Sequence, residues 1–150
     1  VAPPARAPSS LPLLDPLERG AQHEPVKRAG GRRSKVRTDL ENMFAEQISQ
    51  YRMPVPVRQF PFARALQRQF KSDFAWPDYR LLVEIEGGIW KPGGGAHSHP
   101  IDIERDCERR QYAIILRWHM LPITGKQVRN SHGIALLMVV LERLGWTPPP

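Results

Sequence analysis

The sequence predicts a small α/β domain with a mixed β-sheet flanked by helices, and three observations predict it. The chain has 150 residues, which suits one compact domain. Hydrophobic residues make up 41% of it, enough for a packed core. The apolar spacing also changes along the chain, and gives the order helix, three strands, helix, strand, helix.

Residues 1–37 stand apart from that pattern. They carry eight basic and three acidic residues, which is +5 of the formal net charge of +7, and six of the 16 prolines. Such a composition does not support a packed core, so a flexible arm is expected there. Its Lys27, Arg28, Arg32, Arg33, Lys35 and Arg37 read as a phosphate-binding tail or, equally, as a solvated linker.

The folded domain is expected over residues 38–145. Thr38 and Glu41 have capping-box spacing, and Leu40, Phe44, Ile48 and Tyr51 recur near helical spacing, so a helix runs from Thr38 to about Tyr51. Pro54 and Pro56 end it. Extended stretches follow at Val57 to Ala63 and Arg68 to Trp76. A turn at Pro77-Asp78 leads into Leu81 to Glu86, which alternates as a strand and stops at Gly87-Gly88. Lys91 to Pro100 is glycine-rich and reads as a loop.

Ile103 to Trp118 fits a helix whose apolar sector holds Ile103, Cys107, Ile114 and Trp118. Met120 to Thr124 suits a short strand, with Pro122 marking an edge or a bend. Val128 to Leu144 reads as a last helix stopped by Gly145. Residues 146–150 form an irregular tail.

Composition also bounds function. The basic excess favours a polyanionic partner, nucleic acid before membrane. The longest apolar run, Ile134 to Leu141, is far below the roughly 20 residues of a membrane span. The single cysteine, Cys107, makes no internal disulfide, and a reducing, cytoplasmic setting is the simplest expectation.

The unusual feature is the placement of the acids. Alternation puts Glu84 and Glu86 on one strand face and Ile85 on the other. A hairpin through Pro77-Asp78 brings Asp73 alongside them. Clustered carboxylates repel unless a cation neutralises them, and Mg²⁺ prefers such oxygen ligands. The same two glutamates also suit the wet face of an antiparallel hairpin.

Taken in order, Asp73-Phe-Ala-Trp-Pro77, Val83-Glu-Ile-Glu-Gly-Gly-Ile-Trp90, Gly94-Gly-Ala-His97 and Glu104-Arg-Asp-Cys-Glu-Arg-Arg-Gln111 resemble the PD-(D/E)XK nuclease superfamily. The likeness is to its endonuclease-like group, similar to the very-short-patch-repair endonucleases, and covers about residues 38–141. It implies a restriction-endonuclease-like fold and hydrolysis of DNA phosphodiesters with Mg²⁺ or Mn²⁺. By the same resemblance Asp73 and Glu84 match metal-binding acids. Glu86 stands where the superfamily has lysine, as is usual in this group, and is grouped with the metal ligands. Arg109 matches the basic residue that substitutes for that lysine, and Glu41 the first-helix glutamate. Gln111 stands where many relatives have asparagine, and His97 is the candidate general acid or phosphate contact. The backbone carbonyl of Ile85 is a further implied ligand.

Trp76, Trp90 and Trp118 are read as core, as is Cys107. The competing readings are a metal-dependent DNA endonuclease, a catalytically inactive nuclease-fold module that holds DNA, and a nucleic-acid scaffold using the basic arm. The sequence leaves the oligomeric state open; double-strand cutting would need two sites, as a homodimer has, or two passes.

Overall fold

The computed structural model describes residues 35–87 and 100–150, with the side chains of 100–102 excepted. Helix α1 spans Lys35–Gln50, β1 Val57–Phe60, β2 Ser72–Trp76 and β3 Leu81–Glu86. Helix α2 spans Pro100–Ile115, β4 His119–Thr124, α3 Gly125–Arg129 and α4 His132–Arg143. Single 3₁₀ turns at Arg64–Leu66 and Pro77–Tyr79 flank β2. The fold is mixed α/β.

The four strands lie in the order β1-β2-β3-β4. The first three form an antiparallel meander, with Phe74 opposite Val83. β4 is parallel to β3, pairing His119 with Leu81 and Thr124 with Glu86. A parallel partner needs a crossover, and α2 supplies it.

Strand alternation sorts the two faces of the sheet. Phe74, Trp76, Leu81, Val83, Ile85 and Ile123 join Leu40, Phe44 and Ile48 of α1 and Ile134, Leu137 and Leu141 of α4 in the main core. Phe44 meets Phe74 edge-on, with ring centroids 5.5 Å apart. α2 packs along β4 and buries Tyr112 and Ala113.

Several boundaries differ from the sequence reading. α1 begins at Lys35, not Thr38, so Thr38 lies exposed inside the helix and Glu41 is buried instead of closing a capping box. Lys35 and Arg37 therefore belong to the helix and not to an arm. The extended stretches shorten to β1 and β2, because the chain turns through Arg64–Leu66. Helix α2 ends at Ile115, since Arg117 takes a positive φ of 58°.

Three of the four residues of the sector expected to be apolar face outward, while Trp118, past the end of α2, is buried. Ile103 is 50% and Ile114 73% exposed, and Cys107 is exposed as well. The contacts across Tyr112 and Ala113 decide the helix rotation. The last helix is two helices, broken where Ser131 takes a φ of 59°. Thr124 caps the first with a capping box to Gln127. Gly145 closes α4 at a φ of 101°, and Trp146 tucks into the core, which the irregular-tail reading missed.

Candidate active site

The site is built first by the β2–β3 ladder. One step beyond the Phe74–Val83 pair, the same register sets Asp73 opposite Glu84. Both carboxylates are 1% exposed. Asp73 turns toward β3, where the Ile85 backbone N–H donates to its Oδ2 at 2.8 Å. The neighbouring Ser72 hydroxyl lies 2.9 Å from the Phe74 carbonyl and 3.0 Å from that of Val83, and its single proton is shared between them.

α1 supplies the third acid and the first cation. Glu41 is buried, and Arg37 lies one turn earlier on the same helix. The Arg37 guanidinium spans three elements. Its Nη2 lies 2.9 Å from Asp73 Oδ2 and 3.7 Å from Glu84 Oε2, and its Nε 3.4 Å from Glu41 Oε1. From the crossover helix, Arg109 donates to Glu84 Oε2 at 3.0 Å and also pairs with Asp106 at 3.5 Å.

β1 closes the remaining side. Arg58 Nη2 sits 3.6 Å from Glu41 Oε2. Gln59 donates its amide to Glu41 Oε2 at 3.3 Å and makes a longer 3.5 Å contact with Asp73 Oδ1. Gln59 holds a left-handed backbone, φ 55°, inside a strand. A non-glycine residue there is strained, and such strain collects at functional sites.

Burial decides the electrostatics. It pushes the Glu84 carboxyl up to about 7, and Asp73 adds to the effect, while Arg109 and Arg37 favour the charged form without overcoming burial. Arg37 shows the opposite balance. Burial works against its charge, but Asp73, Glu84 and Glu41 together hold its pKa above the ordinary value. An isolated buried carboxylate would be costly, so the guanidinium groups are what allow three acids to be enclosed here.

Of the residues singled out in the sequence, Asp73, Glu84 and Glu41 come together, and Arg109 joins Glu84. Glu86 is half-buried and lines a cleft of about 400 Å³ beside the group, shared with Glu84, Arg109, Ala113, Trp118 and Pro122. Gln111 is exposed on α2. Lys35 is exposed at the start of α1. His97, Trp90, Lys27, Arg28, Arg32 and Arg33 lie outside the described residues. Arg37, read as part of the arm, is the central cation of the carboxylate group. Arg58 and Gln59 carried no sequence signal; for Arg37 the i,i+4 spacing to Glu41 was the available one. Among the described residues, no set of three His, Cys, Asp or Glu side chains is arranged to hold a metal ion.

The chain is 33% identical over 81 residues to two uncharacterized proteins of Mycobacterium tuberculosis, from strains CDC 1551 / Oshkosh and H37Rv. The match covers 54% of this chain and 28% of each relative, so the chain corresponds to a minor part of their length. No family profile and no solved structure matches the chain. Among the described residues, no helix is long and apolar enough to cross a membrane.

Proposed function

We propose that the chain is a metal-dependent DNA endonuclease of restriction-endonuclease-like fold that hydrolyses phosphodiester bonds with Mg²⁺ or Mn²⁺. The observation that carries this reading is the Asp73–Glu84 pair, two buried acids opposite each other on adjacent strands, with Glu41 and two guanidinium groups drawn to them. A structural core gains nothing from enclosing three acids, whereas a phosphodiester-cleaving site uses them.

Asp73 and Glu84 offer a hard divalent ion two carboxylates, the number that Mg²⁺ commonly takes from a protein, with no third acid completing the set among the described residues. The donors are carboxylate oxygens, and both arginine contacts to Glu84 are made through Oε2, which leaves the buried Oε1 uncovered by either cation. Asp73 and Glu84 would hold the ion, with Glu86 at the neighbouring cleft. When bound, such an ion supplies charge neutralisation and an activated water for phosphodiester hydrolysis. A guanidinium is a poor proton acceptor, so the part of Arg109 is to neutralise phosphate charge and not to remove a proton. The exposed Arg110 on the same cleft adds a second phosphate contact. The general acid expected from the sequence is His97.

A second reading has its own observation. Arg37 and Arg109 already neutralise the acids, which suits a nuclease-fold module that holds DNA without cutting it. Incubation of the protein with plasmid and branched DNA, with and without Mg²⁺ or Mn²⁺, separates the two. The nuclease reading expects metal-dependent nicking that Asp73→Asn abolishes while DNA binding in EDTA is kept or tightened, since a negative charge has gone. It expects Arg109→Ala to weaken both cleavage and binding. Wild-type cleavage by Asp73→Asn would misplace the site, and no cleavage of any DNA or RNA would leave the binding module.

A further inference from the structure

We propose that Arg37 is an exchangeable counter-ion of the carboxylate group, and that it competes with a divalent cation for the oxygens of Asp73 and Glu84. The inference rests on the donor assignment made above for the nuclease reading.

Three observations support it. First, the guanidinium is placed where a cation would sit. It reaches one acid from α1, one from β2 and one from β3, at 3.4, 2.9 and 3.7 Å. A merely structural arginine pair needs one partner; this group answers the charge of all three. Second, the contact is incomplete from the side of the acids. Arg37 and Arg109 both reach Glu84 through Oε2, so neither guanidinium covers the buried Oε1, and it is an oxygen left for a spherical ion. Third, the arrangement allows withdrawal. Asp73, Glu84 and Glu41 have side chains only 1–2% exposed, but that of Arg37 is 33% exposed and lies in the first turn of α1. Rotation of one long side chain toward solvent therefore opens the acids without disturbing the sheet.

Charge makes the exchange competitive and not additive. A dication entering while Arg37 stayed in contact would place like charges within a few ångströms at a site of low polarity. Binding of the ion thus requires the guanidinium to leave, and the guanidinium weakens the ion's apparent affinity.

Mn²⁺ titration followed by electron paramagnetic resonance of the free ion tests this on the full chain. Arg37→Gln keeps much of the length of the side chain and removes its charge. It should bind Mn²⁺ at least about tenfold more tightly than wild type, Arg37→Lys should bind like wild type, and adding Asp73→Asn to Arg37→Gln should remove the gain. Equal or weaker Mn²⁺ binding by a folded Arg37→Gln overturns the proposal. Should that variant not fold, the wild type supplies the answer. Mg²⁺ added to it should shift the Arg37 side-chain Nε–H resonance toward that of an unpaired guanidinium, and an unmoved resonance at saturating Mg²⁺ overturns the proposal. Neither measurement involves cleavage. A protein that shows the competition yet cuts no nucleic acid refutes the nuclease reading alone, and one that cuts DNA with Arg37 unmoved refutes the competition alone.

Discussion

At the scale of single residues, Glu84 sets how the fold responds to pH. Its carboxyl is raised from 4.5 to about 7, chiefly by burial. The folded state therefore holds the proton over a range in which the unfolded chain has released it. That contribution to stability is full below about 4.5 and is lost as pH rises toward 7, on the order of a few kcal/mol. Glu84→Gln has no proton to lose, so its stability should fall less over the same range. Urea unfolding of both proteins at pH 5 and pH 7.5 checks this, and parallel pH profiles would show that burial does not govern Glu84. Residue-scale legibility was uneven for a physical reason. The Asp73–Glu84 pairing followed from strand alternation and a short hairpin, both local. Arg37 was hidden because composition alone grouped it with the basic residues before it. Gln59 was hidden because a left-handed backbone in a strand is imposed by its neighbours and leaves no mark on residue type.

Elements were legible where their pattern was self-sufficient. Leu81–Glu86 was read to its ends, since alternation and a following glycine pair mark both. The rotation of α2 was not, because Ile103 and Ile114 share a helical sector that the sheet does not use. The last helix was read as continuous across Asn130-Ser131. The break lies at Ser131, with its φ of 59°, and just beyond it Gly133 packs so closely that a β-carbon would lie 2.6 Å from Ile123 Cγ2 and 3.3 Å from the Gln127 carbonyl oxygen. Ile123 is fully buried and has little room to move. Gly133→Ala should therefore destabilise the fold by about 1–3 kcal/mol, despite alanine's better helix propensity. A thermal midpoint equal to or above wild type would show that α4 can shift at that point.

At the scale of the whole molecule, the basic excess is divided: residues 1–34 carry +3 of the net +7, and the segment with the carboxylate site carries the other +4. Residues 1–34 carry six basic and three acidic residues. Deleting 1–34, and so keeping Lys35 and Arg37 on α1, should preserve the fold and weaken DNA binding most at low salt. For every phosphate that the shortened protein no longer neutralises, the dependence of log K on log salt should flatten by about 0.9 on duplex DNA. Identical slopes for the full and shortened proteins would make those residues a linker. The mixed sheet has one more consequence, and it concerns time. Phe74 and Val83 pair across a tight turn, but Leu81 must wait for His119 to arrive from beyond the whole crossover. Pairings of large sequence separation close slowly, so the meander is expected to form before α2 and β4 dock. Asp73 and Glu84 then meet with Arg109 still absent, and the Arg109–Glu84 bond belongs to the late side of the folding barrier. Arg109→Ala should consequently speed unfolding while leaving the refolding rate nearly unchanged, as stopped-flow chevrons would record. An equal slowing of refolding would place the crossover helix in the nucleus.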